Sequence, residues 1–259
     1  MNNNYTLIKK IILITGASSG IGEACAHAFA EQGAYLILTA RRLDRLTRIS
    51  AEIIDKYNVK CHFMLLDVRE RDEITKFIDN LPNDFKDIDI LINNAGLASG
   101  MAPMQEGDFA DWDRMIDTNI KGLLNVTRLV VPGMIERGAG HIINIGSIAG
   151  RQVYPQGAVY CASKFAVSAI NQGLAIDLLD TPVRVSSVDP GATETEFALV
   201  RFAGDVSRAK QVYQGMTPLT GQDVADAILY VATRPPHVNI SDMLIVPADQ
   251  ASAYHVHRK

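Results

Sequence analysis

Short apolar runs alternate with longer amphipathic stretches along the chain, and this alternation restricts the fold more than any other feature. Several of the runs are apolar at nearly every position, which indicates strands that are covered on both faces, as in a parallel sheet. The predicted strands cover residues 11–14, 35–38, 61–65, 88–92, 141–145, 183–188 and 243–246. The predicted helices lie near residues 23–32, 43–57, 71–80, 112–137, 159–179 and 222–233. We therefore expect a doubly wound α/β fold with right-handed crossovers.

The length of the chain allows this fold to form in one domain. A chain of 259 residues is common for a single α/β domain. Hydrophobic residues make up 47% and charged residues 21%, and no linker, low-complexity segment or repeat beyond the βα units interrupts the pattern. The net charge of −4 argues against nucleic acid as the main partner, because nucleic-acid binding usually requires a basic face. This net charge does not exclude a local basic pocket for an anionic ligand.

The cellular location is predicted from what the sequence lacks. No apolar run reaches membrane-spanning length, so we expect no membrane association. Residues 1–6, MNNNYT, lack a charged segment followed by an apolar core, so we expect no signal peptide. Cys25, Cys61 and Cys161 have no metal-ligand spacing and are typical of a reduced protein without disulfides. We therefore expect a cytoplasmic protein without a metal site.

A glycine-rich loop follows the first predicted strand. Gly16, Gly20 and Gly22 have the spacing Gly-x-x-x-Gly-x-Gly and open the first helix. Glycine lets the backbone turn tightly and approach a pyrophosphate, which the N–H groups at the helix N-terminus then face. The alternative is an ordinary glycine-rich βα turn. The position of this loop directly after the first strand favours nucleotide binding.

The end of the second strand predicts which nucleotide is bound. A carboxylate there would accept hydrogen bonds from the ribose hydroxyls of NAD, but this strand runs into Arg41 and Arg42. Two guanidiniums suit the 2′-phosphate of NADP, with no carboxylate to repel it. The alternative for the arginines is a solvated charged pair. Asp67, after the third strand, could meet the adenine amino group or could cap a helix.

The carboxyl ends of the later strands carry further candidates. Residues 93–96, Asn-Asn-Ala-Gly, are small or amide residues that could pass close to a cofactor, or could form a plain turn. Tyr160 and Lys164 are four residues apart and share a helix face, where an ammonium would lower the pKa of the phenol. Tyr160 could then transfer a proton to or from a substrate oxygen. Ser147 follows the fifth strand and could donate a hydrogen bond to a carbonyl oxygen.

Together these motifs resemble the short-chain dehydrogenase/reductase family. The matching positions are Thr15-Gly-x-x-x-Gly-x-Gly22, Asn93-Asn-Ala-Gly96, Asn119, Ser147, Tyr160-x-x-x-Lys164 and Asp189-Pro190-Gly191. The resemblance implies a single Rossmann domain over residues 1–259, with a seven-stranded, mainly parallel sheet and a substrate lid around 191–215. It implies that Tyr160 is the acid/base, that Lys164 lowers its pKa and binds the nicotinamide ribose, and that Ser147 orients the carbonyl. Asn119 would hold a water that joins Lys164 to solvent.

The same resemblance implies the set of residues that bind NADP. These are Gly16, Ser18, Ser19, Gly20, Ile21, Arg41, Arg42, Asp67, Val68, Asn94, Ala95, Gly96, Tyr160, Lys164, Pro190, Gly191 and Thr193. Family members of this kind are usually homotetramers built through the two long helices and the C-terminal segment. The predicted helices here carry apolar residues on more than one face, which supports that expectation. The residues concerned are Leu123, Leu124, Val130, Val131, Phe165, Val167, Ile170 and Leu174.

Further segments of the sequence are distinctive: 94–98 with Gly100-Met101, Trp112, 115–119, 132–137, 141–147, 200–202 with Gly204-Asp205, and the terminal 256–258. They resemble the NADP-dependent 3-hydroxy acid dehydrogenases, which include serine and allo-threonine dehydrogenases and malonic semialdehyde reductases. This resemblance implies a small anionic carbonyl or alcohol substrate, and sulfoacetaldehyde reductases, which form isethionate, are similar as well. An anionic substrate needs a cation near Tyr160, and we expect Arg201 to supply it, with Arg151 as the alternative and Tyr154 as a further donor. Other hypotheses are a reductase of larger apolar ketones and a non-catalytic NADP sensor.

Overall fold

Seven strands form the central sheet of the computed structural model, which describes residues 6–259. Residues 1–5, which carry most of the segment used to predict the absence of a signal peptide, lie outside the described residues. The strands are β1 Ile11–Thr15, β2 Tyr35–Ala40, β3 Cys61–Leu65, β4 Ile90–Asn93, β5 Gly140–Ile145, β6 Val183–Pro190 and β7 Asp242–Ile245. Their order is β3-β2-β1-β4-β5-β6-β7, and every pairing between neighbours is parallel. The predicted doubly wound fold is confirmed, and the sheet is wholly parallel rather than mainly so.

Helices cover both faces of this sheet. They are α1 Gly20–Glu31, α2 Leu43–Tyr57, α3 Arg71–Asp79, α4 Phe109–Ile116, α5 Leu123–Glu136, α6 Ala158–Asp177, α7 Phe197–Arg201, α8 Val206–Tyr213 and α9 Gly221–Ala232. The sequence pattern predicted all of these except α7 and α8, which are short. Both lie in the segment that the family resemblance identifies as a lid.

The alternation of side chains along the strands divides the apolar core in two. Ile12 and Ile14 of β1 pack into one buried cluster with α1, α2 and α9, while Leu13 packs into a second cluster with α3 and α5. Successive side chains of a strand point to opposite faces, so a strand between two helical layers is buried on both faces and tends to be apolar along its whole length. All five residues of β1 are buried accordingly. This explains why the predicted strands are continuous apolar runs.

The predicted helix over residues 112–137 contains a change of helical pitch. α4 and α5 are joined by a π-helical segment, Asp117–Gly122, so the helix runs on without a loop. A π-helical turn adds a residue to the turn and often lies at a functional site. Here it carries Thr118 and Asn119, both of which are buried.

The strand order determines where a ligand would bind. β1 lies between β2 and β4, so the chain winds away from β1 in opposite directions on its two sides. In open parallel sheets a crevice forms at the carboxyl ends of the strands beside such a switch point. The loops that follow β1, β4, β5 and β6 therefore meet at one edge. Across residues 6–259, no helix is both long and apolar enough to cross a membrane.

Candidate active site

A cavity of about 870 Å³ opens at this edge of the sheet. Its volume is in the range of small-molecule and cofactor sites. All seventeen residues that the family resemblance assigns to NADP binding line it. Their roles in binding remain predictions. Among the described residues there is no group of three or more His, Cys, Asp or Glu side chains that could hold a metal ion.

The glycine-rich loop has the backbone that a phosphate site requires. Gly16 and Gly20 have φ of +66° and +58°, in the left-handed region that favours glycine. A Cβ atom on Gly22 would lie 2.5 Å from both the Gly16 carbonyl oxygen and Asn94 Nδ2. Asn94 Nδ2 in turn donates to the carbonyl oxygen of Thr15 at 2.9 Å, which ties the β4 loop to the β1 loop. The spacing of the glycines thus reflects steric need, and the loop fits a dinucleotide phosphate.

The two candidate arginines differ in their surroundings. Arg41 is exposed and lines the cavity. Arg42 donates from Nε to Ser18 Oγ at 3.1 Å, from Nη2 to Ser19 Oγ at 2.6 Å and from Nη1 to Glu196 Oε2 at 2.7 Å. The expectation that no carboxylate approaches these arginines is therefore wrong, because the fold brings Glu196 to Arg42 from 154 residues further along the chain.

Asp67 is not a helix cap. α3 begins at Arg71 and its N-cap residue is Glu70, so the capping alternative for Asp67 is wrong. The Asp67 carboxylate instead accepts hydrogen bonds from the backbone N–H and the guanidinium of Arg69, and these lower its pKa against the opposing effect of burial. It lines the cavity beside Val68, in a position consistent with the adenine end of a nucleotide.

Thr118 is a cavity residue that the sequence did not reveal. It lies in the π-helical segment and lines the cavity, and its hydroxyl is buried with no hydrogen-bond partner among the described residues. A buried hydroxyl without a partner is costly, so such a group in a cavity wall is suited to a polar ligand. Together with the glycine-rich loop, it indicates that the cavity fits a dinucleotide cofactor.

Ser147 and Tyr160 meet at the other end of the cavity. Both side chains are buried, and Ser147 Oγ accepts from the backbone N–H of Ala149 at 3.0 Å. Burial raises the pKa of Tyr160 above its ordinary value, the nearby Tyr154 adds to that effect, and a hydrogen bond with Ser147 opposes it. The expectation that Lys164 would lower this pKa overlooked desolvation, which dominates here. Tyr160 is therefore a protonated phenol at neutral pH.

Lys164 lies beside Tyr160 on α6 and is buried as well. Its Nζ donates to the carbonyl oxygen of Ile145 at 2.8 Å, which fixes the ammonium at the end of β5. Burial lowers the pKa of Lys164 to about 8, and the charge of Asp189 partly offsets the shift. The ammonium thus remains mostly protonated at neutral pH while its proton is easily released.

Asn119 connects three parts of the site. Its Oδ1 accepts from the Leu97 N–H at 2.9 Å, and its Nδ2 donates to the Leu97 carbonyl oxygen at 2.8 Å and to Ser163 Oγ at 3.0 Å. The side chain therefore clamps the loop after β4 to α6, which carries Tyr160 and Lys164. The predicted water link from Asn119 to Lys164 stays a prediction.

Of the two candidate anion anchors, only Arg201 faces the cavity. Its guanidinium carbon lies 5.7 Å from the centre of the Tyr160 ring and 5.4 Å from that of Tyr154. It is held in place by a hydrogen bond from Nε to the Gly100 carbonyl oxygen at 3.3 Å. The site therefore has a cation directly beside the predicted proton donor.

Arg151 is engaged elsewhere. It forms ion pairs with Asp189 and Asp242, and it is not among the residues that line the cavity. Asp189 is almost fully buried, so Arg151 neutralises a carboxylate that would be costly to leave unpaired. The geometry thus favours Arg201 over Arg151 as the anchor.

Several lining residues were not among the predicted site residues. Phe197 of α7 packs edge-on against the Tyr160 ring, with the ring centres 5.5 Å apart. Arg258, near the C-terminus, also lines the cavity and donates from its guanidinium to the Val212 carbonyl oxygen at 3.1 Å. These residues come to the site only through tertiary packing. The hydrophobic periodicity of α7 and of the C-terminal segment is too short to predict these tertiary contacts.

A parallel sheet with a switch point, a glycine-rich loop whose backbone fits a phosphate, and the group of Ser147, Tyr160 and Lys164 in one cavity are the features of an oxidoreductase that uses a dinucleotide. More specifically, the chain belongs to the short chain dehydrogenase family, whose sequence model matches residues 10–204. The resemblance found in the sequence is thereby confirmed.

Individual relatives agree with this membership. The chain is 49% identical to sulfoacetaldehyde reductase 2 of Chromohalobacter salexigens, over 96% of this chain and 98% of the relative. It is 45% identical to an NADP-dependent 3-hydroxy acid dehydrogenase of Escherichia coli (strain K12), over 96% of this chain and 100% of the relative. Among solved structures it is similar to the closed form of serine dehydrogenase complexed with NADP+, with a TM-score of 0.90 and 45% identity, over 96% of this chain and 100% of that one.

Proposed function

We propose that this protein is an NADP(H)-dependent oxidoreductase that interconverts a small anionic aldehyde or ketone and the corresponding hydroxy acid. The observation that carries the proposal is the position of the Arg201 guanidinium, 5.7 Å from the centre of the Tyr160 ring inside the cavity. A guanidinium can form two parallel hydrogen bonds with a carboxylate or sulfonate, so it would hold an anionic substrate against the proton donor. The names of the relatives support the same substrate class.

We infer a role for each side chain from this arrangement. NADPH, when bound, supplies the hydride that adds to the carbonyl carbon. As the C=O double bond breaks, charge develops on the oxygen, and the Ser147 hydroxyl donates a hydrogen bond to it. Tyr160 transfers its phenolic proton to that oxygen, which yields the alcohol and leaves a tyrosinate. The Lys164 ammonium stabilises the tyrosinate, and a proton from solvent restores the phenol. In the oxidative direction every proton transfer is reversed.

The substrate class is tested by initial rates at 340 nm. Malonic semialdehyde and sulfoacetaldehyde are compared with propionaldehyde, a neutral aldehyde of similar size, with NADPH and with NADH. We expect NADPH to be preferred and both anionic aldehydes to have a higher kcat/KM than propionaldehyde. A preference for propionaldehyde or for larger ketones would contradict the proposal. Binding of NADPH without turnover of any aldehyde would instead support the non-catalytic sensor.

Sulfoacetaldehyde is a specific second candidate for the substrate. The relative at 49% identity is named a sulfoacetaldehyde reductase, and a guanidinium can donate hydrogen bonds to a sulfonate as well as to a carboxylate. In that case the product is isethionate. A higher kcat/KM for sulfoacetaldehyde than for malonic semialdehyde in the same assay would favour this alternative.

We also propose that the chain forms a homotetramer through α4, α5 and α6. Four of the apolar residues that suggested a partner, Leu123, Val130, Val131 and Val167, are buried in the core of the chain, so that part of the sequence inference was wrong. The proposal is supported by large apolar side chains that remain exposed along these helices and just beyond α6. They are Phe109, Ile116, Leu124, Ile135, Phe165, Ile176 and Leu179. Such a face is typical of a subunit interface.

Sedimentation velocity at micromolar concentration tests the assembly. We expect a species of about four times the 28.3 kDa chain mass. Replacing Leu124 and Phe165 by aspartate would place charges in the interface and should produce smaller species, while the same change at the exposed Ile54 of α2 should not. A wild-type monomer would contradict the proposal.

Two further proposals concern location and the lid. Cys25, Cys61 and Cys161 are all free, which supports a cytoplasmic protein. We propose that residues 191–215 form a lid over the substrate end of the cavity, because α7 and α8 lie in this segment and Arg201 belongs to it. The Tyr213 hydroxyl donates to the Thr193 carbonyl oxygen at 2.9 Å, so the two ends of the segment are tied together.

A further inference from the structure

Glu196 joins the predicted nucleotide end of the cavity to the predicted substrate end. It directly precedes α7, and Arg42 Nη1 donates to its Oε2 at 2.7 Å. Nη1 of Arg45 reaches Glu196 Oε1 at 2.7 Å and Oε2 at 2.8 Å. The carboxylate is thus held between two guanidiniums, one of which is a predicted ligand of the 2′-phosphate.

The bonds of Arg42 place a carboxylate at the guanidinium that the 2′-phosphate is predicted to use. Nε donates to Ser18 Oγ, Nη2 to Ser19 Oγ and Nη1 to Glu196 Oε2, which accounts for three of the five N–H groups. A phosphate that binds Arg42 must therefore lie beside the Glu196 carboxylate or displace it. The serine hydroxyls can turn and donate to a phosphate, whereas the Glu196 carboxylate carries the same sign of charge and is repelled by it.

Glu196 carries its charge at neutral pH. The hydrogen bond from Arg42 is the largest influence on its pKa and lowers it, and Arg45 acts in the same direction. The three side chains are each between 34% and 39% exposed, so the ion pairs are open to solvent and to salt. A dianionic phosphate can therefore displace the Glu196 carboxylate without disrupting any buried ion pair.

We propose that Glu196 is a specificity-determining residue that competes with the 2′-phosphate of NADP(H) for Arg42 and Arg45. This inference rests on the proposed function, because it requires that NADP(H) is the nucleotide. In the free protein the carboxylate occupies the anion position. When the 2′-phosphate takes that position, Glu196 is released and the start of α7 loses its attachment to α2.

The release has a consequence for the substrate end of the cavity. Phe197, next to Glu196, packs against the Tyr160 ring, and Arg201 at the other end of α7 lies over the same ring. α7 spans only five residues, so a change at its first turn reaches its last. Binding of the 2′-phosphate thereby frees the helix that carries the substrate anchor to adjust around the substrate.

Titration calorimetry with two nucleotide fragments tests the competition. The fragments are 2′,5′-ADP, which carries the 2′-phosphate, and 5′-AMP, which differs from it only by lacking that phosphate. Neither contains the nicotinamide, so neither reaches Tyr160. We expect Glu196→Gln to bind 2′,5′-ADP about three- to tenfold more tightly than the wild type at low salt, since one competing charge is removed. Binding of 5′-AMP should stay within about twofold, and the gain should shrink in 0.5 M salt.

Glu194→Gln is the matched control. Glu194 lies two residues earlier, is exposed and makes no ion pair within residues 6–259, so this variant should bind both fragments like the wild type. If the wild type binds 2′,5′-ADP no more tightly than 5′-AMP, the proposed NADP(H) preference is wrong, whatever Glu196 does. If the wild type discriminates but Glu196→Gln binds 2′,5′-ADP equally or more weakly, the competition is disproved and the NADP(H) preference stands.

Amide hydrogen exchange over residues 197–213 tests the release of α7. In the wild type, 2′,5′-ADP should speed exchange in this segment, whereas in Glu196→Gln exchange should already be fast and respond little. A change in stability alone would alter exchange throughout the protein rather than in this segment. Unchanged or slower exchange in the wild type on addition of 2′,5′-ADP would overturn the coupling.

Discussion

Replacing Tyr160 by phenylalanine should lower kcat by about 10²–10⁴-fold, which is the usual contribution of a positioned proton donor. The change removes one oxygen and leaves the buried ring in contact with Phe197. Burial keeps the Tyr160 phenol protonated, so the wild type holds a proton ready for the developing alkoxide, and phenylalanine has none to give. Steady-state rates with NADPH and an anionic aldehyde measure the loss.

The affinity for NADPH distinguishes the loss of the proton donor from misfolding of the variant. The dissociation constant of NADPH, followed by fluorescence, should stay within about threefold in Tyr160→Phe, because no phosphate contact is involved. Tyr254→Phe is the control, since Tyr254 is exposed and does not line the cavity, and it should retain wild-type turnover. Retention of more than a tenth of the wild-type kcat by Tyr160→Phe would remove this residue from the proton-transfer step.

The fold was predictable because its signals are local and repeated. Each strand between two helical layers tends to be apolar at successive positions, and β1 shows this in full, with Ile11, Ile12, Leu13 and Ile14 all buried. Seven predicted strands, several of them continuous apolar runs, alternate with amphipathic helices and leave few topologies under the rule of right-handed crossovers. The same reasoning missed α7 and α8, because helices of five and eight residues contain too few turns to show a period.

The site was predictable where its residues stand at the ends of strands or on one helix face. Gly16, Asn94 and Ser147 follow strands, and Tyr160 and Lys164 share a face of α6, so spacing along the chain predicted their proximity. Contacts that depend on tertiary packing could not be predicted from the local sequence. Glu196 reaches Arg42 across 154 residues, and nothing in the local sequence around either residue predicts the contact.

Electrostatic effects were also only partly predictable. The spacing of Tyr160 and Lys164 suggested a lowered pKa for the phenol, but the sequence does not show how deeply the pair is buried. In the fold both side chains are buried, and desolvation favours the neutral form of each group. The pKa of Tyr160 rises as a result, and that of Lys164 falls to about 8. The raised pKa of Tyr160 favours the protonated phenol, which is the form that acts as proton donor in the reductive direction.

Replacing Arg201 by methionine should lower kcat/KM for anionic aldehydes by about ten- to a hundredfold more than for neutral ones. A hydrogen bond to a charged group contributes roughly 1.5–3 kcal/mol, which corresponds to a change of that size. The loss should affect kcat as well as KM, because the guanidinium beside the Tyr160 ring would hold the carbonyl near the proton donor. The measurement is kcat/KM for malonic semialdehyde and sulfoacetaldehyde against propionaldehyde.

Two further variants decide whether charge or geometry matters at Arg201. Arg201→Lys keeps the charge but replaces the two-point contact with a single ammonium, so it should recover only part of the loss on anionic aldehydes. Arg208→Met removes a cation from the same segment that lies over the Phe202 ring and does not line the cavity, so it should change the ratio of anionic to neutral rates little. Equal losses on anionic and neutral aldehydes in Arg201→Met would show that Arg201 only packs the lid against Tyr154 and Tyr160. The anion would then need another cation. Arg258 is a candidate because it lines the cavity, whereas Arg151 does not and is paired with Asp189 and Asp242.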